Sequence, residues 1–549
     1  MNDIPPLLDV ADLRVDFDLA GRRIAAVRGV SLSLRPGQCL GIVGESGSGK
    51  SVTARALLGL AGDTATVRAE RLRLGDRDLT ALPAHEWRDV RGREIGLVLQ
   101  DALASLNPLR PIGPQVAEPL RAHGTAHRQA RVRAVELLHA VSLPDPGFGR
   151  RYPHQLSGGQ RQRALIAAAI ACEPPLLIAD EPTTALDATV QAQILDLLAE
   201  LKASGTALLL ISHDLGVVAR LADHVAVMRQ GLVVETAETA HLLADARHPY
   251  TRQLIAAVPG ARARGTRILP VPSPAAGAGG ATADPGPVLL EARGLVKQFG
   301  GRHRYGQRPA VDDVSFHLRA GETLGLVGES GSGKTTVARI VLAAIDPDAG
   351  RVTLDGRPWS GVPERRRRDL RRTVQAIHQD PLASFDPRFT VEQIVGEALD
   401  SEPGPTQAVR RAHIVSLLDS VGLDADLIAR RPLQLSGGQR QRVAIARALA
   451  PEPRVLVCDE PVSALDVTVQ AQILDLLADL RRDRGLAMLF ISHDLGVVRH
   501  ISDRVAVMRA GRIVETGDVE SVFADPQHAY TRTLLAAVPR LGVPAEGRQ

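Results

Sequence analysis

The feature that most constrains this chain is that it repeats itself. VGESGSGK stands at 43–50 and again at 327–334, QLSGGQRQR begins at Gln155 and at Gln434, VQAQILDLLA at Val190 and Val469, and ISHDLGVV at Ile211 and Ile491. The blocks keep their order, and each second copy follows its first by about 280 residues. Ordered blocks recurring at one long spacing mark a duplicated domain. The chain has 549 residues, 44% of them hydrophobic and 23% charged, which is enough for two separate cores. Between the halves, GARARGTRILPVPSPAAGAGGATADPGP shows no helical or strand period, so a flexible linker is expected there. The expected organisation is a first domain over 1–259, the linker over 260–287 and a second domain over 288–549.

Within each half, short apolar runs alternate with helical patterns. The stretches 39–43 and 176–179 read as buried strands, each leading into glycine-rich or acidic sequence. In 190–201, Val190, Ile194, Leu197, Leu198 and Leu201 share one helical face. An α/β fold with a largely parallel core sheet follows.

GESGSGKS at 44–51 and GESGSGKT at 328–335 both fit GxxxxGK[ST], each after an apolar strand and before a helix-compatible run, which is the context the motif requires. Glycines let the backbone turn tightly enough for its N–H groups to face phosphate oxygens, and the next helix offers its positive end. The first cradle takes in Gly44, Glu45, Ser46, Gly47, Ser48, Gly49, Lys50, Ser51 and Val52. The second takes in Gly328, Glu329, Ser330, Gly331, Ser332, Gly333, Lys334, Thr335 and Thr336. Lys50 and Lys334 would neutralise β- and γ-phosphate charge, while Ser51 and Thr335 would ligate Mg²⁺.

LLIADE ends at Asp180 and Glu181, and VLVCDE at Asp459 and Glu460. Adjacent carboxylates thus sit at the C-terminal end of an apolar strand, the edge at which parallel α/β sheets bind ligands. Asp180 and Asp459 suit the Mg²⁺ shell; Glu181 and Glu460 are positioned to orient or deprotonate an attacking water.

LSGGQ at 156–160 and 435–439 lies, in both halves, between the glycine-rich loop and the acidic pair. Ser157 and Ser436 would cap helices whose N-termini can offer N–H groups to a phosphate. On these motifs the chain resembles the ABC ATPase family. The resemblance implies two tandem P-loop ABC ATPase domains that bind ATP and Mg²⁺. Each would have a RecA-like mixed α/β core, a helical signature subdomain and a small antiparallel β part.

The resemblance also implies two composite sites at the interface of the halves. Lys50, Asp180 and Glu181 would work with Ser436, Gly437 and Gly438, and Lys334, Asp459 and Glu460 with Ser157, Gly158 and Gly159; Gln160 and Gln439 complete the signatures. Gln100 and Gln379 match the Q-loop glutamines, expected near Mg²⁺ and the nucleophilic water. His213 and His493 match the switch histidine that contacts γ-phosphate, and Asp187 and Asp466 the D-loop aspartate. Phe17 and Phe299 stand where the family places an aromatic against adenine. Both halves keep every catalytic position, so two hydrolytic sites are expected.

A narrower resemblance is to ATPases of the oligopeptide/dipeptide/nickel importer family. It rests on SLNPLRPIGPQVAEPL from Ser105 and SFDPRFTVEQIVGEAL from Ser384, and on HPYTRQLIAAVP from His248 and HAYTRTLLAAVP from His528. It implies an ATPase subunit that energises import of a small solute, most readily a di- or oligopeptide. Two separate transmembrane permease subunits and an extracytoplasmic substrate-binding protein would be its partners, and grooves beside Gln100 and Gln379 would carry the stroke. Many members carry a cysteine cluster after HPYTR that this chain lacks, so no iron–sulfur cluster is expected. The rival is a soluble tandem ABC ATPase acting on ribosomes, whose domains are joined by a long charged helical linker unlike the Gly/Pro/Ala stretch here.

Composition agrees with that placement. Cys39, Cys172 and Cys458 are scattered singly, without disulfide or metal spacing. No apolar run approaches the roughly 18 to 20 residues of a membrane helix, and the opening MNDIPPLLDV lacks a basic flank leading into an apolar run. A peripheral position on the cytoplasmic face of the membrane is expected. The net charge of +4 is small, and nucleic acid is not an expected partner; the densest basic run, ERRRRDLRR at 364–372, reads as a solvated helix face.

Overall fold

A computed structural model of the chain describes residues 5–19, 22–101, 105–145, 147–184, 186–259, 267–268, 286–299, 308–399, 406–463 and 465–538. Most of the expected linker at 260–287 lies outside the described residues. The chain divides into two compact units, one built from 1–186 and 190–255, the other from 187–189 and 256–538.

The first unit is organised on a six-stranded sheet in the order Leu232–Glu238, His224–Arg229, Cys39–Val43, Ala207–Ile211, Leu176–Asp180, Ile95–Val98. Every neighbouring pair is parallel except the edge hairpin His224–Arg229 with Leu232–Glu238. Cys39–Val43, Leu176–Asp180 and Ala207–Ile211 are buried at every residue. Continuous buried runs, apolar but for the Asp180 at the end of one of them, are what a parallel sheet covered on both faces demands, so the short runs read from sequence are its central strands. A second, antiparallel sheet joins Arg22–Leu34, Leu8–Leu19, Arg71–Leu74 and Arg77–Asp78, with Ala65–Arg68 also paired to Leu8–Leu19. One hydrophobic core runs between the two sheets, from Leu8, Val15 and Leu57 to Ile178, Leu209 and Met228.

The second unit repeats this plan. Its main sheet runs Val374–Ile377, Val455–Asp459, Ala487–Ile491, Thr323–Val327, Arg504–Arg509, Arg512–Asp518, and its antiparallel sheet joins Val311–Arg319, Val288–Lys297, Ala349–Leu354 and Arg357–Pro358. The α/β class expected from sequence is the class observed, with the small antiparallel part present in each unit.

On the helix Ala188–Ala203 the fully buried positions are Ile194, Leu195 and Leu198, whereas Val190, Leu197 and Leu201 are only half-buried. Its buried face is therefore rotated from the expected stripe. Val190 points instead at Gly159, where any Cβ would come within 2.2 Å of its methyl. The basic run forms the helix Glu364–Arg371, but only in part as a solvated face. Arg367 is 9% exposed, and Arg371 bonds Glu364 and the carbonyl of Leu342 while its guanidinium lies 5.7 Å over the Trp359 ring.

Within the span expected to be linker, Ile268 is buried and donates its N–H to Asp475 at 2.9 Å, and Arg267 pairs with Asp479. Cys39 and Cys458 are buried in central strands, where burial pushes both thiols up to about 12 and leaves them unreactive core residues.

Candidate nucleotide site in each half

The loop after Cys39–Val43 must fold between β-strand carbonyls, and its glycines meet that constraint. A Cβ on Gly44 (φ +152) would lie 2.1 Å from the Met228 carbonyl oxygen, and one on Gly49 (φ +102) 2.6 Å from that of Ala26. Gly328 and Gly333 repeat this, at 2.2 Å from Met508 O and 2.2 Å from Ala310 O. Gly47 and Gly331 have φ +80 with nothing within 4 Å, so there the requirement is conformational.

At the C-terminal end of each loop, Lys50 and Lys334 open a helix and are buried. Each ammonium folds back on its own loop, Lys50 Nζ donating to the carbonyls of Gly44 (2.6 Å) and Glu45 (2.8 Å), Lys334 Nζ to those of Gly328 (2.7 Å) and Glu329 (2.8 Å). The hydroxyls of Ser48 and Ser332 are buried inside the loops without a partner. Val52 packs against the core, and Thr336 is half-buried on the same helix turn.

The strand Leu176–Asp180 delivers its carboxylate to this loop: Ser51 Oγ donates to Asp180 Oδ1 at 3.0 Å, and Thr335 holds the same place beside Asp459, whose carboxyl its hydroxyl helps to hold down. Burial, helped by the neighbouring Glu181 charge, pushes the Asp180 carboxyl up; burial and Glu460 do the same to Asp459. Two hard oxygen donors converging beside a phosphate cradle fit Mg²⁺, which takes one or two protein oxygens and completes its shell with phosphate and water. Among the described residues no group of three His, Cys, Asp or Glu could hold a metal without such help.

Glu181 and Glu460 adopt left-handed backbone, φ +49 and +50, a conformation a glutamate takes at a cost. The Glu181 N–H is anchored on the Ile211 carbonyl (2.8 Å), and that of Glu460 on Ile491 (2.9 Å). Two groups from distant parts of the unit and one from the next turn meet the Glu181 carboxylate: Gln100 Nε2 at 2.8 Å, His213 Nδ1 at 3.2 Å and the neighbouring Thr184 Oγ1 at 2.9 Å. Glu460 meets Gln379 Nε2 at 2.9 Å and His493 Nδ1 at 3.1 Å. Burial alone would raise these carboxyls, but the histidine, through hydrogen bond and charge, together with the loop lysine and the Thr184 or Ser463 hydroxyl, outweighs it and holds both below the usual carboxylate range. Burial likewise opposes the histidine charge, yet Glu181 and Asp214 push His213 up, and Glu460 and Asp494 push His493 up.

Each half thus gathers its loop lysine, hydroxyl, aspartate, glutamate, Q-loop glutamine and histidine. The signature serines are engaged as helix caps: Ser157 Oγ accepts from Gln160 N (3.3 Å) while Gln160 returns its Oε1 to Ser157 N (3.0 Å), and Ser436 and Gln439 repeat the box. Gly158 and Gly437 open those helices, and Gly438, like Gly159, has no room for a Cβ, which would sit 2.5 Å from Val469. Asp466 caps the helix Val467–Arg484 through Val469 N (3.0 Å), and Asp187 accepts from Thr189 Oγ1 (2.8 Å).

The two aromatic candidates differ. Phe17 is partly buried against the first core, whereas Phe299 follows Val288–Lys297 with 51% of its surface exposed. Sequence reasoning missed Tyr250 and Tyr530, whose phenol oxygens accept the N–H of Glu45 (3.0 Å) and Glu329 (3.1 Å). Their signal was present, since each is the tyrosine of an HPYTR-like tract repeated in both halves.

The ABC transporter family model matches residues 27–184 and 311–463, and the model of the oligopeptide/dipeptide transporter C-terminal region matches 234–280 and 514–549. The chain is 43% identical to the oligopeptide transport ATP-binding protein OppD of Mycobacterium bovis, over 97% of this chain and 98% of that one. It is 45% identical to the glutathione import ATP-binding protein GsiA of Salmonella paratyphi A, over 98% of this chain and 90% of that one. Against the protein of that name from Escherichia coli O157:H7 the identity is 46%, with the same coverage. With its two matched cassettes, its paired C-terminal regions and relatives aligned nearly end to end, the chain belongs to the ATP-hydrolysing, ATP-binding subunits of ABC transporters, in the oligopeptide/dipeptide group.

Proposed function

We propose that this chain hydrolyses ATP at two sites to drive import of a peptide-like solute through separate permease subunits, while bound peripherally at the cytoplasmic face of a membrane. The observation that carries the proposal is the repetition of one complete constellation: the Lys50, Ser51–Asp180 and Gln100–Glu181–His213 cluster recurs as Lys334, Thr335–Asp459 and Gln379–Glu460–His493. Among the described residues no helix is long and apolar enough to cross a membrane, so the path for solute is assigned to other chains.

Lys50 and Lys334 leave their loop carbonyls for the incoming β- and γ-phosphates, exchanging neutral acceptors for anionic ones. Ser51 with Asp180, and Thr335 with Asp459, hold Mg²⁺, which neutralises phosphate charge when bound. Glu181 and Glu460, kept ionised, orient the attacking water and accept its proton, and Gln100 and Gln379 fix their carboxylates. His213 and His493, biased toward their charged form, stabilise charge developing on the transferred phosphoryl group.

A cleft of about 490 Å³ beside Ile95–Leu97, just before Gln100, is also lined by Pro119, Leu165 and Ala168. It suits an apolar element of a permease, whose movement would reach Gln100 along that strand. At the corresponding places the second unit carries Gln375 for Gly96 and Arg447 for Ala168, and Arg447 lies 5.0 Å over the Phe385 ring. The two units therefore offer permeases different surfaces.

The test is uptake of labelled dipeptides, longer peptides and glutathione by cells with and without the chain, alongside purification from detergent-solubilised membranes. Recovery with ribosomes and never with membrane proteins would overturn the import reading.

A further inference from the structure

We propose that Tyr250 and Tyr530 are positioning residues for the phosphate loops, and that the segment after each edge hairpin is a clamp holding the loop in its binding shape. This rests on the reading of those loops as ATP sites.

The observations run as one chain of contacts. Glu235, on the hairpin strand Leu232–Glu238, accepts the backbone N–H groups of Arg247 (2.7 Å) and His248 (3.1 Å), which fixes where the tract begins. His248 Nδ1 accepts the N–H of Tyr250 at 3.2 Å and caps the helix Pro249–Ala256. Arg252 folds back to the carbonyls of Ala246 (3.3 Å) and Arg247 (2.9 Å), closing the turn.

The Tyr250 side chain, 2% exposed, is thereby aimed at the loop, with the Arg229 guanidinium 4.8 Å over its ring. Its oxygen accepts the N–H of Glu45, the residue after Gly44. The histidine, tyrosine and arginine of HPYTR each have a task in that turn, and the tyrosine is the one that reaches the site.

The second half builds the same clamp from its own copy of the tract. Glu515 accepts Gln527 N (2.7 Å) and His528 N (3.1 Å), His528 Nδ1 accepts Tyr530 N (3.1 Å), and Arg532 bonds the carbonyls of Pro526 (2.9 Å) and Gln527 (3.0 Å). Arg509 lies 4.8 Å over the Tyr530 ring, and the phenol oxygen meets Glu329 N. Burial pushes the Tyr530 hydroxyl up to about 12, so it is a neutral phenol at any physiological pH.

The consequence is specific. A phosphate loop binds by aiming backbone N–H groups, and a loop amide left without an acceptor favours conformations that turn toward water. Removing the oxygen alone should weaken nucleotide binding by about fivefold per site, the worth of one ordinary hydrogen bond, without touching the groups that act on water.

The experiment uses the full chain with Tyr250→Phe, Tyr530→Phe and the double variant, each of which keeps the ring beneath its arginine. Amide hydrogen exchange at Glu45 and Glu329 without nucleotide reads the clamp directly, and should accelerate by about fivefold at the substituted site only. ATPase kinetics of the double variant should show KM for ATP raised by about fivefold with kcat little changed. The positioning role is overturned if exchange is unaltered, or if kcat falls while KM holds. Accelerated exchange with no ATP bound by the unsubstituted chain would instead overturn the ATP reading and leave the clamp standing. Tyr250→Ala, which also empties the space under Arg229, should lower the melting temperature; the Phe variants should not.

Discussion

Gln100 donates from Nε2 to the Glu181 carboxylate across 2.8 Å, and Gln379 does the same to Glu460 across 2.9 Å, though 81 residues separate the partners in each pair. Strands Ile95–Val98 and Leu176–Asp180 are neighbours in register, so each strand end presents its side chain to the same point. The glutamine thus links the cleft beside its strand to the glutamate proposed to orient water.

Replacing either glutamate should show whether both halves work. Glu181→Gln and Glu460→Gln keep the shape but lose the negative charge, and each should lower steady-state ATPase by about a hundredfold or more while ATP still binds. Normal turnover in the first with complete loss in the second would refute two comparable sites.

Gly44→Ala should fail at binding rather than at hydrolysis. Its Cβ would stand 2.1 Å from the Met228 carbonyl oxygen at φ +152, so the loop must shift. A stability loss of about 2 kcal/mol or more, read by denaturant melting, and loss of ATP binding at that site are expected. Gly47→Ala, with open space around it, should be milder in stability.

Phe17 and Phe299 should separate under substitution. Phe299→Ala removes an exposed ring and should leave melting unchanged while weakening ATP affinity by about fivefold, the scale of one aromatic stacking contact. Phe17→Ala, which opens the core, should cost about 2 kcal/mol of stability. Equal effects on ATP binding with no difference in melting would contradict this division.

Acid should weaken the second unit through His500. Its ring is buried, its Nδ1 has no partner, and burial pushes its pKa down against the opposing pull of Asp475. A depressed folded pKa means that the unfolded chain binds the proton more readily. The stability of the neutral ring is therefore complete above the unfolded value of about 6.5 and is lost as pH falls through the lower folded value. Thermal melting of the second unit between about pH 7.5 and 5.5 should show this decline, and His500→Leu should flatten it. Arg220, at the matching position of the first unit, pairs with Asp196 at 2.6 Å.

Much of this protein was legible locally. The repeated blocks, the glycine loops between strand and helix, the acidic strand ends and the capping serines are patterns within a few residues, and α/β class follows from alternating short apolar runs and helical stripes. Where a pattern depended on neighbours, the reading slipped. The helix at 188–203 buries Leu195 rather than Leu197 because its partners decide which face turns inward, and Arg367 and Arg371 are drawn from the basic run toward Glu364 and Trp359.

The sequence by itself therefore determined the two-fold architecture, the family and the chemical inventory of each half, since those are carried by residue type and short spacing. Only the tertiary structure decided that Glu181 takes left-handed backbone beneath His213, that Lys50 rests on its own loop carbonyls, and that Tyr250 reaches Glu45 from 205 residues away. Those relations depend on which strand ends and turns meet at one edge of a sheet, and side-chain distances there are set by packing that no local spacing records.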